Sequence, residues 1–219
     1  MCNRFALPAS PEELAEHFGL SETEALVRRY NVAPGEEILV VRADGQGRLL
    51  QRAWWGLRPR GQDRPLLNIR SETLLSHGRP RQGGRPERVL VPAGGFFEWR
   101  HVGRARQPFY FKLKDSPLLG LAALCEGGGT AAEGARCCAL LTTEPNPLVA
   151  EVHDRMPAIL ARGAYARWLD AGTDLLDVLD LLQPFAAEAM TGYPVSTLVN
   201  RSGVEDPRAI EPARQQTLF

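Results

Sequence analysis

Between residues 88 and 143 the chain carries five closely spaced strand candidates, and this run constrains the fold more than any other feature. The segments 88–92, 96–100, 108–114, 118–125 and 136–143 are rich in branched and aromatic residues, which suit a half-buried pleated surface. Upstream, 37–42 and 48–55 flank Asp44-Gly45-Gln46-Gly47, a hairpin signal with an apolar run in each arm. With 219 residues, 44% of them hydrophobic, the chain can bury one sizeable core, and neither a repeat nor an inter-domain linker is visible. The expected fold is α+β: a single compact domain over 1–219, with a mainly antiparallel, barrel-like β core and peripheral helices.

The expected helices are short. Residues 11–18 read as an amphipathic helix with Ser10 as N-cap and Pro11 at the first helical position. Residues 21–29 suggest another turn or two. Ser71 is placed to cap a helix running to 76, 146–152 reads as a further short helix, and 164–169 and 175–182 have helical spacing. Strands are expected at 157–160 and 193–200. Loops are expected at 58–65, at 77–86 with its Gly, Pro and Arg, and at Gly127-Gly128-Gly129. The tail from about 203 is expected to run extended along the surface.

Composition removes several function classes. The one apolar run worth testing, 117–125, is far too short to span a bilayer. No basic-then-apolar leader follows Met1, so a cytoplasmic protein with no membrane partner is expected. Cys2, Cys125, Cys137 and Cys138 form no Cys-x-x-Cys pair and have no matching His spacing, so no metal is expected. Adjacent Cys137 and Cys138 would point to opposite faces of a strand, as two buried thiols in a reducing compartment. Gly127 to Gly129 lacks the Lys and following Ser or Thr of a P-loop, and no cofactor is expected. Net charge is zero, yet 42–114 carries sixteen Lys and Arg against five Asp and Glu, while the remainder carries ten against twenty-one. A basic block inside a neutral chain suggests a face for a polyanion. Its bias toward Arg suits bidentate phosphate contacts.

Cys2 offers a chemistry to go with that face. Removal of Met1 would leave an α-amine and a thiol on adjacent carbons. Such an aminothiol condenses with an aldehyde: the amine forms an imine, and the sulfur adds to the imine carbon to close a thiazolidine. An α-amine titrates at about 7.7–8.0, so part of it is unprotonated near neutrality. A thiol sits near 8.5 and falls in electropositive surroundings. Four segments then place polar residues beside turns or strand ends: Met1-Cys2-Asn3-Arg4-Phe5, Asn68-Ile69-Arg70-Ser71-Glu72-Thr73, Pro92-Ala93-Gly94-Gly95-Phe96-Phe97-Glu98-Trp99, and His153-Asp154-Arg155-Met156-Pro157. Glu98 shares its strand face with Phe96 and Arg100; burial would raise its pKa and make it an acid near neutral pH, whereas pairing with the arginine would keep it ionised. Asn68 offers both donor and acceptor, and His153 can carry a proton near neutrality.

Together these segments resemble the SOS-response-associated peptidase (SRAP) family. The resemblance runs through nearly the whole chain and includes Tyr30-Asn31-Val32-Ala33-Pro34, Trp55-Gly56-Leu57, Pro194-Val195-Ser196 and Asn200. It implies one compact domain with a positively charged groove that recognises abasic sites in single-stranded DNA and traps them as a reversible thiazolidine link. It also implies autocatalytic removal of Met1. Carried over residue by residue, Cys2 is the nucleophile, with Asn68, Glu98 and His153 completing the site. Arg4 and Arg70 hold the DNA backbone, and Trp55 stacks near the lesion or wedges the bases apart. Two departures stand out. The family usually has Gly after the Cys, where this chain has Asn3, a side chain that crowds the reactive amine. A further family Arg falls at Gly78, where Arg79 and Arg81 are the available substitutes. Two rival readings remain: a cysteine-type peptidase acting on peptides, and a non-catalytic single-strand binding module using Arg and Trp. A monomer is the default expectation.

Overall fold

The computed structural model describes residues 2–58, 63–77, 86–103, 105–127 and 136–213. Its strands are β1 Phe5–Leu7, β2 Arg29–Val32, β3 Glu37–Ala43, β4 Arg48–Trp55, β5 Asn68–Arg70, β6 Glu87–Ala93, β7 Gly95–Val102, β8 Ala105–Leu113, β9 Leu119–Gly127, β10 Arg136–Thr143, β11 Met156–Pro157, β12 Ile159–Leu160 and β13 Met190–Pro194. The α-helices are α1 Pro11–Phe18, α2 Ser71–His77, α3 Pro147–Ala150 and α4 Tyr165–Leu169. All five central strands and the upstream hairpin of the sequence reading are present, and the domain is single and mostly sheet.

Five strands close on themselves. β4 pairs with β3, β3 with β6, β6 with β9, β9 with β10, and β10 returns to β4. Every pairing in this ring is antiparallel except the last. Val41, Trp55, Val89, Val91, Leu121, Ala123 and Leu140 belong to its buried core. A second sheet, in the order β13-β8-β7-β1-β2, packs beside the ring. Within this second sheet β7 and β8 are closely apposed at Gly95: a Cβ there would lie 2.4 Å from the Phe111 carbonyl oxygen, so only glycine lets β7 run this close to β8.

Helix α1 begins as its sequence dictates. The Ser10 hydroxyl accepts from the Glu13 N–H at 3.3 Å, and the Glu13 carboxylate accepts from the Ser10 N–H at 2.7 Å, a reciprocal capping box. Gly19 ends the helix at φ 66°, a left-handed value that suits glycine.

Three expectations fail. Residues 21–28 form no helix, and 29–32 pair with β1 as β2. The Glu205 carboxylate accepts the N–H groups of Tyr30 at 2.5 Å and Asn31 at 3.2 Å and also pairs with Arg29, a long-range partner that local spacing cannot reveal. The strand expected at 193–200 ends at Pro194; Thr197–Asn200 is a 3₁₀ turn, entered through Ser196, whose hydroxyl accepts the Leu198 N–H at 3.3 Å. The tail is packed down rather than extended: Pro207–Ile210 forms a 3₁₀ turn, Ala209 is buried, and the Ala213 N–H donates to the Pro194 carbonyl at 2.8 Å. The segment 175–182 is helical, but as a 3₁₀ helix over Leu176–Leu181. Most of the loops expected at 77–86 and after Gly127 lie outside the described residues. No described helix is long and apolar enough to cross a membrane.

Candidate active site

The site lies where the two sheets meet, and each sheet supplies half of it. On one side β1 pairs with β7, Phe5 opposite Phe96 and Ala6 opposite Gly95, and the Phe97 N–H donates to the Arg4 carbonyl at 2.9 Å. This pairing carries the N-terminal segment alongside Glu98. Cys2 is fully buried, and its sulfur lies 3.8 Å from the Arg4 carbonyl. Glu98 is 2% exposed. Burial, reinforced by the charge of Asp154, drives its carboxyl up to about 8. Arg100, the alternative partner, is exposed and lies over the Phe109 ring at 4.7 Å instead.

On the other side β10 is the organiser. β5 runs parallel to it with Leu140 opposite Asn68, and β11 runs antiparallel with Thr143 opposite Met156. Asn68 and the segment leading into β11 therefore reach the same end of β10. Arg155 locks them together. Its guanidinium holds the Glu72 carboxylate through two parallel bonds of 2.8 and 2.9 Å and donates to the Thr142 carbonyl at 2.7 Å. Glu72 is in the first turn of α2, directly after β5, so one fork joins the Asn68 element to the His153 element.

The same segment fixes the His153 ring. Nδ1 lies 3.0 Å from the Arg155 backbone nitrogen, 3.3 Å from the Arg155 carbonyl oxygen and 3.1 Å from Asp154 Oδ1. Nε2 lies 3.7 Å from Glu98 Oε2. Burial, the leading cause, lowers the His153 pKa, so the ring is neutral at pH 7. The Cys2 thiol is shifted upward: burial first, and the nearby Glu98 charge second, push it well above its usual value. The sulfur is therefore protonated at rest. All four expected catalytic residues, Cys2, Asn68, Glu98 and His153, gather at this junction.

The family model for SOS response associated peptidase (SRAP) matches residues 1–202. The chain belongs to the SRAP family. It is 35% identical over 223 residues to the abasic site processing protein YoqW of Bacillus subtilis, covering 96% of this chain and 99% of that one. It is 28% identical to the abasic site processing protein YedK of Escherichia coli over 97% of this chain and 100% of that one. Among solved structures, a phage-related protein of Bordetella bronchiseptica aligns with TM-score 0.73 at 30% identity, over 89% of this chain and 94% of that one.

The residues expected to contact DNA in this SRAP chain are less uniform. Trp55 is a correction. Its ring is fully buried against Phe5 at 5.4 Å between centroids, and its N–H donates to the Leu67 carbonyl at 3.0 Å, so it presents no face to a base. Its neighbour Trp54 points the other way on β4 and is 39% exposed. Arg4 is half-buried and donates to Asn31 Oδ1 at 2.7 Å and the Val199 carbonyl at 3.0 Å. Arg70 is exposed at the end of β5. Arg79 and Arg81 lie outside the described residues. Much of the basic block serves the fold: Arg88 is buried and donates to the Trp168 and Thr173 carbonyls, Arg48 donates to the Phe18 carbonyl, and Arg52 pairs with Glu24 and Glu37.

Sequence reasoning passed over Glu72, Arg155 and Asn31 as functional supports. Asn31 is fully buried and holds both Arg4 and, at 2.7 Å, the Arg201 carbonyl. All three stood inside the motifs that carried the family resemblance.

Proposed function

We propose that this chain senses abasic sites in single-stranded DNA and traps them as a reversible thiazolidine through Cys2 once Met1 is removed, acting as a cytoplasmic monomer. The observation that carries the reading is Glu98: a carboxyl titrating near 8 at a junction shared with Cys2, Asn68 and His153. An abasic sugar is mainly a closed hemiacetal, and opening it requires a proton on the ring oxygen and loss of one from the anomeric hydroxyl. A carboxyl that is protonated at neutral pH supplies the first and, once ionised, takes the second. Autoproteolysis at Met1 would expose the amine; hydrolysis of that single bond is the sense in which the chain is a peptidase.

The steps balance without a cofactor. The Cys2 amine adds to the aldehyde carbon to give a hemiaminal, which loses water to form an imine. The Cys2 sulfur then bonds to the imine carbon, and the thiol proton ends on the nitrogen. Aldehyde and aminothiol become thiazolidine and water. The relatives named for abasic site processing support the substrate class, and exposed Arg70 supports a polyanionic partner. A peptide substrate would leave exposed Arg70 without a role.

The test is incubation with an abasic single-stranded oligonucleotide. A heat-stable shifted band is expected for the parent protein and none for Cys2→Ala, with non-covalent binding retained. A stable link persisting in Cys2→Ala would overturn the mechanism. The intact mass, expected to lack Met1, is the companion measurement.

A further inference from the structure

We propose that Asn3 is a positioning residue that fixes the Asn68 amide with its carbonyl oxygen turned toward the reacting amine. The inference rests on the reading of Cys2 given above. Asn68 is 7% exposed, and its Nδ2 donates to Asn3 Oδ1 at 3.0 Å. An amide side chain has a donor end and an acceptor end. With the donor end held by Asn3, turning the amide over would set two acceptor oxygens against each other. The acceptor end is thereby chosen for the other side. Asn68 Oδ1 is buried and has no hydrogen-bond partner among the described residues. A buried acceptor left unsatisfied is costly, and beside a reactive centre it points to a donor that arrives with the chemistry.

The N–H of the processed Cys2 amine is the donor that fits. It is one residue along the chain from Asn3. Accepting one amine N–H orients the nitrogen and leaves its lone pair free to face the aldehyde carbon; the same oxygen serves the N–H of the hemiaminal. A glycine at position 3, usual in the family, has no side chain with which to do this. The crowding expected of Asn3 is then an orienting contact particular to this chain.

A double-mutant cycle tests the claim. Asn3→Ala, Asn3→Asp, Asn68→Ala and the double variant Asn3→Ala/Asn68→Ala are compared for the rate of link formation at saturating abasic oligonucleotide. Asn3→Ala is expected to slow the maximal rate about three- to tenfold, the size of one neutral hydrogen bond, with the half-saturating DNA concentration unchanged. Asn3→Asp keeps the acceptor oxygen and is expected to recover most of the rate. In the Asn68→Ala background, Asn3→Ala is expected to have no further effect, because Asn3 acts only through Asn68. Additive losses, or a parental rate in Asn3→Ala, overturn the proposal. If Cys2→Ala still forms the link, it is the reading of Cys2 that fails, and the Asn3 contact is then judged without DNA. The side-chain amide resonances of Asn68 are expected to shift and to exchange faster in Asn3→Ala, and unmoved resonances overturn it.

Discussion

His153 Nε2 lies 3.7 Å from Glu98 Oε2, the carboxyl carried by β7 and the histidine by the segment leading into β11. At pH 7 the histidine is neutral, because burial lowers its pKa, while the carboxyl is largely protonated, because burial raises its own to about 8. The proton available at neutral pH therefore resides on Glu98 and not on the imidazole. Both shifts arise from the same desolvation, acting in opposite directions on an acid and a base.

Glu98→Gln keeps the shape and removes the proton transfer. Link formation on the closed sugar is expected to slow by about 10²–10⁴-fold, and reversal by a comparable factor, since both use the same transfers. A pre-opened aldehyde should react with little loss. In the parent protein the rate should fall as pH rises through about 8, where Glu98 loses its proton, and this limb should be missing in Glu98→Gln. Single-turnover rates from pH 6 to 9 measure it.

The same carboxyl makes stability depend on pH. Its folded pKa is raised, so the folded state holds a proton that the unfolded chain releases near the ordinary carboxylate value. The stabilisation is complete below that value and is lost as pH rises through about 8. Glu98→Gln escapes the loss. Its melting temperature should exceed the parent's at pH 9 by several degrees, at about 2–4 °C per kcal/mol for a chain of this size, with the gain shrinking toward pH 5. Thermal melts at three pH values suffice; a pH-independent difference would mean that Glu98 is not buried in its charged form.

The adjacent tryptophans should separate cleanly. Trp55 fills the core beside Phe5, so Trp55→Ala is expected to destabilise the fold by about 3–5 kcal/mol. Trp54 is exposed, so Trp54→Ala should leave the melting temperature almost unchanged and weaken single-strand binding by about 1–3 kcal/mol if a base stacks on it. Paired denaturation and binding titrations distinguish the two roles.

How far the sequence could be read follows from the range of the forces involved. α1 was legible to the residue because Ser10, Pro11 and Glu13 make its cap locally. The hairpin of β3 and β4 was legible because alternation and a Gly-bearing turn are local as well. Residues 21–29 misled because their strand ending is set by Glu205, far along the chain. The site residues were legible as motifs, but their roles were not all so. Position in a motif does not say which face of a strand a side chain takes, and so Trp55 passed for a surface residue. Arg155 stood in a motif without a role of its own, because its partner Glu72 lies 83 residues away in the chain.

That fork should be sensitive to the loss of either partner, unequally. Arg155 is buried and Glu72 is about half exposed. Arg155→Ala is expected to cost about 3 kcal/mol, because it empties the space of a buried side chain and removes its bonds to Glu72 and the Thr142 carbonyl. Glu72→Gln keeps one acceptor and should cost about 1 kcal/mol. Chemical denaturation measures both. Equal, negligible losses would mean that the Asn68 and His153 elements are held together by their strands alone.

The arginines supply the sharpest division between surface and scaffold. Arg70 is exposed beside Asn68, whereas Arg88 donates to the Trp168 and Thr173 carbonyls and Arg48 to the Phe18 carbonyl. Loss of a phosphate contact lowers the slope of log affinity against log salt by about 0.7 for single strands. Arg70→Ala should therefore flatten that slope by about this amount on DNA with or without a lesion, with an unchanged melting temperature. Arg48→Ala should do the reverse, lowering the melting temperature through its lost carbonyl bond and keeping the parental slope. Arg4→Ala should lower the melting temperature, since its guanidinium is committed to Asn31 and Val199. A parental slope in Arg70→Ala would move the DNA path away from β5 and toward the exposed end of β4 at Trp54.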